Sequence, residues 1–175
     1  LLGNPAFLTE HSVDVTPLAQ AADALRRQGA TVVLLAVESA VAGLIAVSDP
    51  VKSTTQEALT ALHGLGIRIV MLTGDNQMTA NAVAKTLGID AVEAEVLPAD
   101  KARIVQRLRA EGRVVAMAGD GVNDAPALAS ADVGIAMGTG TDVAIESAGV
   151  TLVKGDLRGI VTAHRLSRTV MNNIR

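Results

Sequence analysis

Short apolar segments that alternate with helical patterns are the feature that most constrains the fold of this chain. Residues 67–72 form an apolar run, and residues 80–87 then place Ala, Val and Leu at helical spacing before Gly88. The alternation continues as a helix at 102–108, a strand at 114–118, a helix at 125–129, a strand at 133–137, a helix at 141–148 and a strand at 150–153. Strands that are apolar on both faces are typical of a parallel sheet covered by helices on each side. The pattern therefore predicts an α/β fold with a doubly wound parallel sheet.

The composition agrees with that fold class and excludes several functions. The chain has 175 residues, 49% of them hydrophobic, and Phe7 is its only aromatic residue, so Ala, Val, Leu and Ile must form the core. The net charge of −3 with interspersed signs provides no basic face, which argues against a nucleic-acid partner. Because there is no cysteine, disulfides and thiolate metal sites are excluded.

Residues 1–47 have a different pattern. A helix is predicted over 17–28, followed by a hairpin of two strands at 32–37 and 41–47. One helix and two antiparallel strands cannot enclose a core, so we expect this segment to be the tail of another domain. Asp49-Pro50 is the expected hinge, which divides the chain into 1–47 and 48–175.

Two polar clusters follow predicted strands. Thr73-Gly74-Asp75 comes after the strand that ends at Leu72, and residues 119–124 come after the strand that ends at Ala118. Ligands of such sheets bind beyond the carboxyl ends of the strands. Glycines let backbone N–H groups approach an anion there, and carboxylates beside a phosphate imply a hard cation such as Mg²⁺.

Each candidate in these clusters has a chemical role and a simpler structural alternative. Asp120 and Asp124 are the expected Mg²⁺ ligands, although Asp is also common in turns and helix caps. Thr73 offers a hydroxyl donor, although its segment could be an ordinary strand-to-helix turn. Lys101 opens a helix, where its charge and the helix N-terminus can both face an anion, although most helical lysines are simply solvated. Their combination favours a phosphate site.

Other polar and sulfur-containing residues are assigned to structure. Asp142 and Glu146 lie one helical turn apart and are interpreted as capping and solvated-face residues. Met71, Met117 and Met137 fall in predicted buried strands and are interpreted as packing residues, so no copper site is predicted in this chain.

The motifs resemble those of a known family. Segments 73–75 (Thr-Gly-Asp), 97–101 (Leu-Pro-Ala-Asp-Lys) and 119–126 (Gly-Asp-Gly-Val-Asn-Asp-Ala-Pro) resemble the phosphorylation-domain motifs of P-type ATPases, within the haloacid dehalogenase superfamily. The resemblance extends over about 48–175. Segment 137–148 is most similar to the heavy-metal branch, and within it to the copper exporters.

The resemblance implies roles for individual residues at the phosphate. Thr73 would contact the phosphoryl group as part of a catalytic motif with Gly74 and Asp75, and Lys101 would neutralise the phosphoryl charge. Asp120 would ligate Mg²⁺, and Asn123 and Asp124 would complete the phosphate and metal shell.

The resemblance also implies a nucleotide site. Gly3 and Asn4 are similar to the adenine-side Gly-Asn of the family's nucleotide-binding domain, and Asp49 and Lys52 belong to the hinge segment next to it. ATP and Mg²⁺ are therefore the expected cofactors.

One departure from the family limits what this chain can do. Neither the Asp-Lys-Thr-Gly-Thr segment that carries the phosphorylated aspartate nor the Thr-Gly-Glu of an actuator domain occurs in the sequence. The resemblance implies a cytoplasmic part of an integral membrane protein that exports a heavy metal, most of all Cu⁺, with the ion bound in absent membrane segments. A soluble haloacid dehalogenase-type phosphatase and a non-catalytic nucleotide-binding module stay open as alternatives.

The last predicted helix, over 156–175, has no Gly or Pro stop signal. Arg165, Arg168 and Arg175 place positive charge where the cytoplasmic flank of a membrane span carries it. With the family resemblance, this pattern predicts a helix that continues beyond Arg175 into the membrane. A soluble terminal helix packed on the sheet fits the periodicity equally well and stays open as the alternative.

Overall fold

The structure is a computed structural model that describes residues 1–48, 50–120, 122–138 and 142–174. Its strands are β1 (Leu2–Gly3), β2 (Thr31–Val37), β3 (Ala40–Val47), β4 (Val70–Leu72), β5 (Ala91–Glu93), β6 (Ala116–Gly119), β7 (Val133–Met137) and β8 (Val150–Leu152). Its helices are α1 (Pro5–Glu10), α2 (Thr16–Arg26), α3 (Ser53–Gly64), α4 (Gln77–Leu87), α5 (Pro98–Ala110), α6 (Ala125–Ser130), α7 (Asp142–Glu146) and α8 (Arg158–Ile174). A short 3₁₀ helix at Val122–Asp124 precedes α6.

The N-terminal part forms an antiparallel sheet in the order β1-β2-β3. The predicted hairpin is confirmed, with Leu34 opposite Leu44 in the register. Alternation along β2 buries Val32, Leu34 and Ala36 on one face. Leu8 of α1 packs into the same core, so α1 and α2 cover that face. Both β1 and α1 are too short to show a period, and the sequence pattern did not predict them.

All strands of the C-terminal part pair in parallel, which confirms the predicted fold class. They form two sheets, β4-β5 and β6-β7-β8, rather than the one continuous sheet that the alternation predicted. A cavity of about 770 Å³ lies between them. Val70 and Leu72 of β4 line it on one side. Ala116, the first residue of β6, and the preceding Val115 line it on the other. Charged residues such as Arg107 and Arg113 line the same cavity, so the two sheets are separated by a gap of mixed character.

Helices flank both parallel sheets, as expected for a doubly wound arrangement. Val105 of α5 and Leu128 of α6 are buried against Met117 of β6.

The side chain of Asn76 caps α4 by accepting from the amides of Met78 and Thr79. Gly88 ends the helix at φ +68°, a left-handed conformation that favours glycine.

Several boundaries differ from the predictions. The strand predicted from residue 67 begins at Val70, and the helix predicted from 156 begins at Arg158 because Asp156 precedes and caps it. The sequence pattern missed α3 and β5, although Ala58, Leu59 and Leu62 are spaced for one helical face. Within the described ranges, no helix combines the length and the apolar character that crossing a bilayer requires.

Candidate active site

The loop after β4 holds Thr73, Gly74 and Asp75 in a closed set of hydrogen bonds. The Thr73 hydroxyl donates to Asp75 Oδ2 at 2.9 Å, and the Asp75 amide donates back to Thr73 Oγ1 at 3.1 Å. A Cβ atom placed on Gly74 would meet the Val96 carbonyl at 3.7 Å, an ordinary contact. Close approach of an anion to this glycine therefore stays a prediction.

Backbone bonds fasten this loop to the segment that leads into α5. The Thr73 amide donates to the Glu93 carbonyl at 3.0 Å, and the Val96 amide donates to the Thr73 carbonyl at 3.0 Å. The Glu95 amide donates to the Asp75 carbonyl at 2.8 Å. Because Pro98 then begins α5, the Thr73 loop and the helix that carries Lys101 are adjacent along this segment.

Lys101 and Asp124 form an ion pair that the sequence pattern did not predict. Lys101 Nζ lies 2.7 Å from Asp124 Oδ1, and the two side chains are 19% and 10% exposed. Lys101 is in the first turn of α5, and Asp124 is the residue before α6. Two residues predicted independently for charge neutralisation and metal binding thus lie in contact, with opposite charges held away from most of the solvent.

Gly119 makes room for the Asp124 carboxylate at the end of β6. A Cβ atom on Gly119 would lie 2.7 Å from Asp124 Cβ and 2.8 Å from Oδ2, closer than side chains pack. Asp120 follows directly, and it and Asn123 are exposed. The carboxylates of Asp120 and Asp124 therefore both belong to the carboxyl end of β6, where the fold predicts ligand binding.

The carboxylates of Asp120 and Asp124 are the type of ligand that Mg²⁺ takes when it also binds phosphate oxygens. Among the described residues, no group of three or more His, Cys, Asp or Glu side chains could hold a metal by itself. Mg²⁺ is usually bound by one or two carboxylates together with phosphate oxygens and waters, so two carboxylates are enough in kind and number. Binding of Mg²⁺ by Asp120 and Asp124 stays a prediction.

The predicted nucleotide-side residues have structural roles in this fold. Asn4 Oδ1 accepts from the Phe7 amide at 2.8 Å and caps α1, and a Cβ atom on Gly3 would overlap the Phe7 ring. Lys52 Nζ donates to the Gly155 carbonyl at 2.8 Å, which joins the start of α3 to the loop before α8. Asp49 lies outside the described residues. Nucleotide binding by these residues stays a prediction.

Two threonines outside every predicted motif link the N-terminal part to the Thr73 loop and to α4, the helix that follows it. Thr31 Oγ1 donates to Asp75 Oδ1 at 2.9 Å, and Thr79 Oγ1 donates to the Ala30 carbonyl at 2.9 Å. Partners more than 40 residues apart leave no local signal, so pattern reasoning had no means to find these contacts.

Comparison with known proteins places the chain in a family. A family model described as haloacid dehalogenase-like hydrolase matches residues 1–132. The chain belongs to that family. The match includes the Thr73 loop, Lys101 and the whole of residues 119–124.

Two relatives confirm the resemblance to heavy-metal P-type ATPases. The "Silver exporting P-type ATPase" of Salmonella typhimurium is 62% identical over 100% of this chain and 21% of its own length. The "Copper-exporting P-type ATPase" of Legionella pneumophila is 60% identical over 99% of this chain and 24% of its own length. The chain thus spans about a fifth to a quarter of these relatives.

A solved structure agrees with the sequence relatives. The crystal structure of a zinc-transporting PIB-type ATPase in the E2.Pi state has a TM-score of 0.76 and 41% identity to this chain. The match covers 93% of this chain and 27% of the transporter. The arrangement of elements described above is therefore that of a part of such an ATPase.

Proposed function

We propose that this chain is a cytoplasmic catalytic fragment of an ATP-driven heavy-metal exporter of the P-type ATPase class. In this proposal, residues 1–47 end a nucleotide-binding domain, and residues 48–175 form the phosphorylation domain without its phosphorylated aspartate. The chain would supply the Mg²⁺ and phosphate shell for formation and hydrolysis of an aspartyl phosphate. Cu⁺ is the proposed cargo, because relatives about 60% identical to this chain are named for silver and copper export.

The observation that carries the proposal is the gap between the two parallel sheets. The Thr73 loop follows β4 on one side of the gap, and Asp120 follows β6 on the other. A strand placed between β4 and β6 would end among these residues, because the carboxyl ends of parallel strands meet at one edge of a sheet. An aspartate at the end of such a strand would lie beside Thr73 and the Lys101–Asp124 pair.

The lining of the gap supports an inserted segment with both apolar and polar side chains. Val70, Leu72, Val115 and Ala116 line it together with charged residues such as Arg107. Within the described residues, β4 and β6 each have one edge without a partner strand, and such exposed edges are unfavourable in a sheet. The Nδ1 atom of His164 is buried without a hydrogen-bond partner in the described part of the chain, and His164 also lines the cavity. A segment that fills the gap could satisfy this atom.

The chain's own residues would act by position and charge. The Thr73 hydroxyl, now directed at Asp75 Oδ2, would turn to donate to a phosphoryl oxygen. Lys101 holds its ammonium in the first turn of α5, where it would offset phosphoryl charge. When bound, Mg²⁺ would neutralise charge on the phosphate oxygens, and the carboxylates of Asp120 and Asp124 would hold it.

The proposal includes a connection of α8 to the membrane. Leu166, Val170 and Ile174 recur at four-residue spacing on α8 and are 63%, 47% and 73% exposed. An exposed apolar stripe at the end of a helix suits a neighbouring membrane segment. Residue 175 lies outside the described part, and the continuation into a span stays a prediction.

Covalent phosphorylation tests the proposal. The purified chain incubated with [γ-³²P]ATP and Mg²⁺ should form no acid-stable phosphoenzyme, because it has no nucleophile segment. The natural protein that contains this chain should form one. In that protein, Asp120→Asn should lower labelling by about 100-fold, since it removes one charge from the metal shell. Asp142→Asn is the matched control, because this exposed carboxylate of α7 has no proposed ligand role.

The outcomes separate the proposal from its alternatives. Labelling of an aspartate in the isolated chain would contradict it. Release of phosphate from small phosphate esters by the isolated chain would favour a stand-alone phosphatase of the same superfamily, and ATP binding without turnover in the natural protein would favour a non-catalytic nucleotide-binding module.

A further inference from the structure

The carboxylate of Asp75 links two parts of the chain that are distant in sequence. Its Oδ1 accepts a hydrogen bond from the Thr31 hydroxyl at 2.9 Å, and its Oδ2 accepts one from the Thr73 hydroxyl at 2.9 Å. Thr31 is the first residue of β2 in the antiparallel sheet, whereas Thr73 follows β4 of a parallel sheet. One carboxylate therefore joins the N-terminal sheet to the loop of the proposed phosphate site.

A second, buried contact holds Thr31 in place. Thr79 is 2% exposed and donates from Oγ1 to the carbonyl of Ala30, which is 6% exposed. Asn76 Nδ2 donates to Thr79 Oγ1 at 2.9 Å, so the cap of α4 is part of the same network. Because Ala30 is fixed and precedes Thr31 directly, the exposed Thr31 hydroxyl reaches Asp75 at a small entropic cost.

We propose that Thr31 is a positioning residue for the phosphate site. By holding Asp75 Oδ1, it fixes the Asp75 residue whose Oδ2 and amide both contact Thr73 Oγ1. It thereby fixes the position of Thr73 Oγ1, from which the hydroxyl proton would turn to the phosphoryl oxygen. The torsion of an Asp carboxylate about its last bond is broad, so a carboxylate held by one hydroxyl alone would turn more freely. Through this hydrogen bond, the N-terminal sheet would help to position the Thr73 hydroxyl, which would contact the phosphoryl oxygen. The inference rests on the proposed function and deepens it.

A pair of opposite substitutions in the natural protein tests this role. Thr31→Val keeps the size and branching of the side chain but removes its hydroxyl, whereas Thr31→Ser keeps the hydroxyl and removes the methyl group. Thr31→Val should slow formation of the acid-stable phosphoenzyme by roughly threefold to tenfold, the effect of one exposed hydrogen bond of ordinary strength. The KM for ATP should change by less than about twofold, because Thr31 touches the loop rather than the nucleotide. Thr31→Ser should restore the rate.

Amide hydrogen exchange provides a second readout that does not depend on turnover. The amide of Asp75 donates to Thr73 Oγ1, so an Oγ1 atom that loses its fixed position should protect this amide less. Exchange in the peptide that covers 73–76 should therefore rise in Thr31→Val and stay at the wild-type rate in Thr31→Ser.

The outcomes distinguish failure of this inference from failure of the proposed function. If the wild-type protein forms no phosphoenzyme, the proposed function is wrong, and the exchange measurement alone decides whether Thr31 positions the loop. If the wild type is labelled and Thr31→Val matches it in rate and in exchange, the inference is overturned. A rate for Thr31→Ser as low as that for Thr31→Val would also overturn it, because methyl packing would then be the cause.

Discussion

Lys101 and Asp124 show how one contact serves both the stability and the chemistry proposed for this chain. Their 2.7 Å ion pair is mostly shielded from water, so each charge has lost part of its hydration and depends on the other. Removal of one partner should therefore destabilise the fold more than removal of both. The same pair holds the ammonium and a carboxylate at the edge where phosphate is expected.

Substitutions at this pair should separate stability from catalysis. Lys101→Met should lower the free energy of unfolding by about 1–3 kcal/mol, because the Asp124 carboxylate loses its cation in a poorly hydrated place. Adding Asp124→Asn should recover much of that loss. Neither variant should phosphorylate at the wild-type rate in the natural protein, although ATP affinity should be nearly unchanged, since Lys101 is placed for the reacting phosphate.

Urea unfolding and phosphoenzyme formation measure the two effects. Equal unfolding free energies for Lys101→Met and wild type would show that the pair contributes nothing to stability. A loss of ATP affinity with a normal phosphorylation rate would overturn the proposed role of Lys101.

At the scale of elements, Asp156 joins two helices at the start of α8. Asp156 Oδ1 accepts from the Arg158 amide at 2.9 Å, and Oδ2 accepts from the Arg158 guanidinium at 2.8 Å. These bonds to Arg158 lower the pKa of the Asp156 carboxyl to about 2. Arg158 also lies 3.6 Å from Glu57 of α3, so the capping residue and the α3–α8 contact belong to one cluster.

The Asp156 cap predicts a specific loss of stability in acid. Its pKa is about 2 in the folded chain against an ordinary value of 3.8, so the ionised form favours the folded state. This contribution is fully present above the unfolded pKa and is lost as the pH falls from about 4 to 2. Asp156→Asn should lower the Tm at pH 7, and the Tm values of the variant and the wild type should become nearly equal near pH 2.

Thermal unfolding between pH 2 and 7 checks this prediction. Glu57→Gln is the matched control and should change the Tm less, because it removes only the longer, more exposed contact with Arg158. If the Tm difference between Asp156→Asn and wild type stayed constant across this range, the cap would not be the cause.

At the scale of the whole molecule, the N-terminal sheet has one covered and one open face. Helices α1 and α2 pack on the face that carries Leu34. On the opposite face, Leu2, Leu35, Ile45 and Val47 are 56%, 39%, 49% and 59% exposed. The register places Leu2 opposite Leu35, so these side chains form a continuous apolar surface. Such a surface promotes association.

The isolated chain should therefore self-associate through this face. Leu35→Lys combined with Ile45→Glu should shift it toward monomer, and the folded state should lose little stability because both positions are exposed. Sedimentation velocity over a range of concentrations measures the change. Leu34→Lys is the contrasting control, since Leu34 is 1% exposed and a buried charge should unfold the domain. A wild-type chain that stays monomeric at high concentration would contradict this prediction.

Patterns within short segments of the sequence determined most of the secondary structure. The strand–helix alternation, the hairpin of β2 and β3 and the end of α4 at Gly88 follow from side-chain period and glycine geometry, which act over a few residues. The motifs around Thr73, Lys101 and Asp120 likewise carried the family resemblance without any knowledge of their contacts.

Only the tertiary structure decided which of these residues meet and how the strands group. The Lys101–Asp124 pair spans 23 residues and the Thr31–Asp75 hydrogen bond spans 44, and neither leaves a period or a spacing in the sequence. Strand patterns predict parallel pairing but not partners, so they could not show that β4 and β6 stand apart across a gap. Local periodicity records which face of an element is apolar, whereas contacts between distant segments depend on how those faces pack against one another.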